Sequence, residues 1–278
     1  MSETESQTLS GVAETSLIAL YIRALESQRP GGLIKDEKAV ALVAQMSDEF
    51  VRIQRFPMSN MNIAATMRRN QKFDRNVLDF LARHPEAVVV HIGCGLDTRF
   101  ERVAERNSHV EWYDLDLPDV IELRRKLLGD EGGRYHLLGC SALEDAWLEA
   151  VSTHRQRPFL LLAEGVFMYF EEAQVKSLVR MLCDRFPGAE LVFDAFNPFH
   201  IWTNTRLFAK IKLGAPLHWG IWHGQELEGW SEGIRLLEDW GWLDEPEPRL
   251  SFIRWLRALP IVGRMMRIYH FQLGKAAG

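Results

Sequence analysis

A chain of 278 residues that is 47% hydrophobic is long enough for one large domain and apolar enough to fill its core, which excludes a disordered tail. Its 33 basic and 38 acidic side chains leave a formal charge of -5, so no global positive field holds nucleic acid, and a small-molecule partner is expected. The polar, acidic opening lacks the basic start and apolar stretch of a secretory signal, and no run of about 18 apolar residues predicts a membrane span. Cys94, Cys140 and Cys183 are few, odd in number and without metal-ligand spacing, so free thiols, a cytoplasmic protein and no metal site are expected.

In chain order, the first residues read as a frayed terminus. From Thr15 to about Asn70, apolar residues recur at three and four: Leu17, Leu20, Tyr21 and Leu25, then Val40, Val43, Met46, Phe50 and Ile53. This predicts N-terminal helices broken near Pro30-Gly31-Gly32, followed by an amphipathic helix over Phe73–Arg83. Compact apolar runs follow: Val88–Ile92, Val110–Asp114, Tyr135–Gly139, Phe159–Ala163 and Leu191–Ala195. Runs without polar alternation suit strands buried on both faces, and their alternation with helices predicts an α/β domain built on a parallel sheet with right-handed crossovers. Beyond Pro198 comes a Trp- and His-rich stretch, His200–Trp222, then an expected helix from Gln225 to about Trp240, a turn or edge segment over Asp244–Pro248, and a last strand over Ile268–Leu273. The organisation expected is a single domain: a helical cap over about 15–72, a ligand-binding core over about 73–196, and a lid insert with the final sheet elements over about 197–278. Cap and insert are the natural lids over the carboxyl ends of the strands, where open α/β sheets bind ligands.

The densest signal is VVVHIGCGLDTRF, Val88–Phe100: a buried strand, a Gly93-Cys94-Gly95 turn, then an expected helix start. Glycines there let the backbone approach a ligand closely, although any strand-to-helix turn favours glycine. Thr98 and Glu101 have capping-box spacing, so a helix starting there would aim free N–H groups at the ligand. About 20 residues past the glycines, Asp114 and Asp116 end the next strand, where a carboxylate accepts the two hydroxyls of a ribose. A turn aspartate before Pro118 is the alternative. Glu164 follows the apolar strand PFLLLA and precedes Gly165, at the same sheet edge, where a carboxylate would attract a sulfonium or amine cation. A solvated loop glutamate is the alternative reading.

These residues resemble the leucine carboxyl methyltransferase family, in particular its bacterial branch of polyketide-biosynthesis O-methyltransferases. The resemblance runs from about Asp36 to Leu273 and is carried by RRNQKFD (Arg68–Asp74), VVVHIGCGLDTRFERV (Val88–Val103), WYDLDLPDVIELRRKLL (Trp112–Leu128), LLAEGVFMYF (Leu161–Phe170) and ELVFDAF (Glu190–Phe196). It implies a Rossmann-like class I methyltransferase sheet that binds S-adenosylmethionine and methylates an oxygen of a small acceptor. Arg69 then matches the arginine that grips the cofactor carboxylate, with Arg68 its nearest rival. Gly93 and Gly95 match the cofactor loop, Asp116 the ribose acid and Glu164 the acid near the methionine end. Asp97 and Arg99 match the family signature, or form an ion pair that shapes the loop. Where many members carry Asp-Leu beside the adenine, this chain has Cys140-Ser141, and Ser141 offers a hydroxyl and a backbone N–H instead.

A carboxylate acceptor needs no base, whereas a hydroxyl is helped by one, and His200, His218 and His223 are the candidates. Tyr169 is expected to face the same space, and Trp202, Trp219 and Trp222 either line an acceptor pocket or pack the lid. Two other readings share the loop and the acid. A nicotinamide-dependent oxidoreductase is opposed by Thr98 standing where a third glycine belongs and by the lack of a Tyr-x-x-x-Lys pair. A protein that binds S-adenosylmethionine without catalysis has the same signature.

Overall fold

The computed structural model describes residues 11–46, 59–104, 107, 109–129, 132–211 and 216–274. Phe50 and Ile53 of the apolar pattern, and the expected frayed start, lie outside them. The N-terminal helices are α1 (Gly11–Ser27) and α2 (Glu37–Gln45), separated at the Pro30-Gly31-Gly32 break, where Gly31 takes φ +68°. Asp36 caps α2 by accepting from the Ala39 N–H at 2.9 Å. The expected helix over Phe73–Arg83 is the second half of a longer one, α3 (Asn60–Arg83), started by Ser59, whose hydroxyl accepts from the Asn62 N–H.

The strands are β1 (Val88–Ile92), β2 (Glu111–Asp116), β3 (Tyr135–Gly139), β4 (Phe159–Ala163), β5 (Glu190–Phe196), β6 (Arg235–Gly241) and β7 (Met266–Gln272). They form one sheet in the order β3-β2-β1-β4-β5-β7-β6, parallel through β5, with β7 antiparallel to both β5 and β6. Both faces are covered, which is why the central strands read as unbroken apolar runs. Val88, Val90 and Ile92 pack on one side with Trp147, Leu178 and Phe193. On the other, Val89 packs with Phe73, Val77 and Phe80 of α3. Strand order reverses between β1 and β4, and that switch opens a crevice at their carboxyl ends.

The expected helix over Gln225–Trp240 is a correction. A short 3-10 turn, Gly224–Gly229, is followed by β6. Gly233 at φ +82° turns the chain, and the half-exposed edge strand pairs with β7 through Trp240↔Ile268. The stretch after β5 is helical at first, α7 (Pro198–Ile211), with α4 (Pro118–Leu128), α5 (Ala146–Val151) and α6 (Glu172–Arg185) preceding it in the crossovers. Asp244–Pro248 is a turn, and the chain then runs through a 3-10 helix, Pro248–Ala258. From that helix Arg249 reaches the buried Glu26 of α1 at 2.7 and 2.9 Å. No helix among the described residues is long and apolar enough to cross a membrane.

Candidate functional site

A cavity of about 380 Å³ opens at the strand-order switch, floored by the loops after β1, β2, β3 and β4 and roofed by α1, α3 and α7. Of the residues the sequence singles out for the site, Arg69, Gly93, Gly95, Asp116, Ser141, Glu164, Tyr169 and His200 line it together, and the candidate bases His218 and His223 do not.

The floor is backbone. Gly93 and Gly95 sit at φ +66° and +51°, a left-handed conformation that disfavours side chains. A Cβ on Gly93 would lie 2.3 Å from Val166, and one on Gly95 would lie 3.0 Å from Ser16 of α1. The expected capping box does not form. Thr98 instead donates its hydroxyl to Asp36 at 2.6 Å, and Glu101 pairs with Lys38. A π-helical turn over Phe100–Ala104 replaces the regular helix start. Burying the arginines of this segment in ion pairs, described below, competes with regular capping.

Asp116 is the last residue of β2, two residues further than the apolar run predicts. Its two oxygens accept from Gly95 N–H at 2.7 Å and Leu117 N–H at 2.8 Å, each keeping a further lone pair for a ligand hydroxyl. Burial raises its carboxyl above the ordinary value, opposed by those two N–H groups. Asp114 shares its strand face but lies deeper, held by Trp112 Nε1 at 2.7 Å, Tyr135 OH at 2.7 Å and Arg124 at 2.5 Å. It is a structural anchor, so position along the strand separates the two aspartates. Ser141, after β3, lines the adjoining wall and accepts from Leu143 N–H at 3.2 Å through its hydroxyl oxygen.

The other end of the cavity is ionic. Thr66, Arg69 and Asn70 stand at i, i+3 and i+4 on α3, which puts them on one face. Arg69 reaches Glu164 at 2.9 Å and Asp194 at 3.1 Å. Arg68 turns away to Gln71, Glu245 and the Pro246 carbonyl. Behind Arg69, the fully buried Arg99 binds Asp74 at 2.7 Å, Asp97 at 3.1 Å and Glu164 at 2.6 Å. Asp97 and Arg99 therefore do form the ion pair that shapes the loop. Arg102 ties Asp36, Asp74 and Asp97, and Arg23 of α1 joins Asp36 at 3.0 Å. Sequence reading missed Asp36, Asp74 and Asp194 as members of this network; their spacing gives no sign of a meeting made only by the fold.

Beyond Glu164 the wall becomes apolar: Val166, Met168, Phe170, Phe196 and Leu217, with Tyr169, His200 and Asn204 among them. Asn197 accepts from the His200 N–H at 2.7 Å and so starts α7 with His200 over the cavity. Burial pushes the His200 imidazole down to about 4, and pushes the Tyr169 phenol up. His223 is exposed and caps the Gly224–Gly229 turn, while His218 is at the surface 2.8 Å from Glu171. Trp219 is core, packed on Phe167 and Phe193, and Trp202 is largely exposed; these do not line the cavity. All three cysteines are free thiols.

The backbone floor, the twin-acceptor aspartate and the guanidinium-carboxylate corner fit a nucleoside that carries an amino-acid tail. The family model for leucine carboxyl methyltransferase matches residues 16–183. The tetracenomycin polyketide synthesis O-methyltransferase TcmP of Streptomyces glaucescens is 38% identical over 247 residues, covering 87% of each chain. The S-adenosyl-L-methionine-dependent methyltransferase dpfgK of Gibberella zeae is 29% identical, covering 83% of this chain and 82% of its own. In fold, the chain matches a solved DUF574 family protein of Streptomyces avermitilis with a TM-score of 0.57 at 17% identity, over 93% of this chain and 97% of that one. The chain thus belongs to the leucine carboxyl methyltransferase family and is an S-adenosylmethionine-dependent methyltransferase with a Rossmann-like α/β fold.

Proposed function

We propose that the chain methylates an oxygen, a hydroxyl or a carboxylate, of a small and largely apolar acceptor of the polyketide type. The observation that carries this is the change of lining along one cavity. Its ionic, backbone-floored end suits the cofactor, and its far end offers Met168, Phe170, Phe196 and Leu217 around three polar side chains, Tyr169, His200 and Asn204. The acceptor class comes from the relative that acts in tetracenomycin polyketide synthesis.

When bound, S-adenosylmethionine supplies an electrophilic methyl carbon on a sulfonium. Gly93, Gly95 and Asp116 hold the nucleoside, with Ser141 beside the base. Arg69 and Glu164 hold the amino-acid end. The protein's remaining task is to fix the acceptor oxygen in line and keep water out. α1 and α7 close the roof for this. Tyr169, protonated because burial raises its phenol, donates a hydrogen bond to the acceptor. His200 is neutral above about pH 4, so its ring nitrogen is open to accept a hydroxyl proton. His223, exposed and outside the cavity, has no part in this reading. The three free thiols suit a reducing cytoplasm, where we place the enzyme. In domain terms we treat the chain as one unit, the helical cap and the segment after β5 serving as lids to the core.

The test is turnover: the protein with S-adenosylmethionine and a panel of aromatic phenols and carboxylic acids, followed by mass spectrometry of acceptor and S-adenosylhomocysteine. An O-methyl ether or ester is expected. Methylation at nitrogen or carbon, or no turnover with any acceptor, defeats the proposal.

A further inference from the structure

The ion network under the cavity is not balanced. Its members, side chains at most 17% exposed, come from α1 (Arg23), the α2 cap (Asp36), α3 (Arg69, Asp74), the β1 loop (Asp97, Arg99), the π turn (Arg102), the β4 end (Glu164) and β5 (Asp194). Among the described residues this is five carboxylates against four guanidiniums. Buried charges are stable only when paired, so the location of the excess matters. Asp97 is met by Arg23, Arg99 and Arg102, and Asp74 by Arg99 and Arg102. Asp36 has Arg23 and Arg102. Among the described residues Asp194 has Arg69 as its cation, and Arg69 is shared with Glu164. The surplus therefore sits at the corner of Arg69, Glu164 and Asp194, where Arg69 and Glu164 face the cavity.

His91, also on the cavity wall, does not offset it. Arg99 lies 3.2 Å from His91 Nε2, and as a guanidinium it can only donate, so that nitrogen is taken up as its acceptor. The surroundings of each carboxyl agree with this placement. Burial raises Asp74, Asp97 and Glu164, yet the arginines around them bring each below its ordinary value. Asp194 alone of these stays above its ordinary value, raised by burial more than Arg69 lowers it.

S-adenosylmethionine carries a sulfonium, an ammonium and a carboxylate, a net charge of +1; S-adenosylhomocysteine lacks the sulfonium and is neutral. We infer that Asp194 is a specificity-determining residue that acts through Arg69 and Glu164: it supplies the unpaired negative charge by which the site holds the cationic cofactor and lets go of the neutral product. Asp194 also accepts the Gly165 N–H at 2.6 Å, which fixes the turn carrying Glu164 against β5. The inference rests on the cofactor and not on the acceptor, so it is tested without an acceptor and stands or falls apart from the proposed reaction.

The experiment is calorimetric titration of wild type and Asp194→Asn with S-adenosylmethionine and S-adenosylhomocysteine, with a thermal melt of each protein. The amide keeps an oxygen for Gly165 and removes the charge. Wild type should bind S-adenosylmethionine roughly tenfold more tightly than S-adenosylhomocysteine at low salt, as expected for one charge met at partly buried range. In Asp194→Asn that ratio should fall toward one, with most of the change in the S-adenosylmethionine affinity. Equal weakening of both ligands would mean a merely structural role and overturns the inference. If the variant does not melt cooperatively, wild type decides, with sinefungin, whose amine cation replaces the sulfonium, as a third ligand. The two cationic ligands should then bind alike and above S-adenosylhomocysteine; product binding as tight as either overturns the inference.

Discussion

The two ends of the cavity are built from different materials. The cofactor end is main chain and charge: positive-φ glycines, an aspartate satisfied by backbone N–H groups, and arginines locked between carboxylates. The end proposed for the acceptor is apolar side chains on a helix and loops, with one tyrosine, one histidine and one asparagine. A charge network couples its members over a long range and tolerates no single loss, whereas an apolar wall is changed one side chain at a time. In the function proposed, the reagent would be held by the first kind of structure and the acceptor by the second.

The comparison breaks most visibly at Arg99. Arg99→Ala removes the cation that Asp74, Asp97 and Glu164 share, leaving them to Arg102, Arg23 and Arg69, and should cost about 3–5 kcal/mol of stability, read as a lower midpoint in chemical denaturation. A shift below 1 kcal/mol would mean the network behaves like a surface one. Next comes Asp116→Ala, expected to weaken S-adenosylmethionine binding by about 1–3 kcal/mol in calorimetry while the melt stays near wild type. Asp114→Ala should do the opposite, lowering the melt because Arg124 loses its buried carboxylate. If Asp114→Ala proves the purer binding mutant, the assignment of roles along β2 is wrong.

At the acceptor end the effects are smaller and depend on pH. The folded-state value of His200 lies below its unfolded value of about 6.5, so the unfolded chain binds more protons between there and about 4. The penalty is absent above pH 6.5 and grows as pH falls through that window. Replacing His200 with Gln should therefore flatten the fall in melting temperature from pH 7 to pH 4.5. If His200 accepts the acceptor's proton, the rate limb in wild type should lie near pH 4 and not near 6.5, and vanish in the variant. A limb that survives the substitution removes His200 from the chemistry. The smallest effect is at His223: His223→Ala should cost about 0.5–1 kcal/mol through the lost cap and leave kcat unchanged. A large loss of kcat would place that residue at the reacting atoms after all.

What sequence reading captures follows the same division. Buried parallel strands and glycine turns write themselves into consecutive residues, so β1, β3 and β4 are predicted to the residue and β5 to within one residue at each end. Gly93, Gly95, Asp116 and Glu164 lie at strand ends and are legible for that reason. β6 is not, because an edge strand exposed on one side mixes polar and apolar positions, and its residues also satisfy a helical spacing. The histidines are harder still. His200, His218 and His223 lie in one aromatic-rich segment, and only the folded path of α7 and the following loop puts His200 over the cavity and the other two at the surface. Asp194, inside the quoted motif ELVFDAF, is read there as strand, and its pairing with Arg69 spans 125 positions.

The bond between Glu26 and Arg249 joins residues 223 positions apart and fastens the cap helix to the last quarter of the chain. The Glu26 carboxylate is fully buried, and Arg249 supplies the positive charge that offsets its removal from water. Without Arg249 the cation left to Glu26 among the described residues is Arg29 at 3.8 Å, so the tie between the cap helix and that distant segment is carried by this one guanidinium.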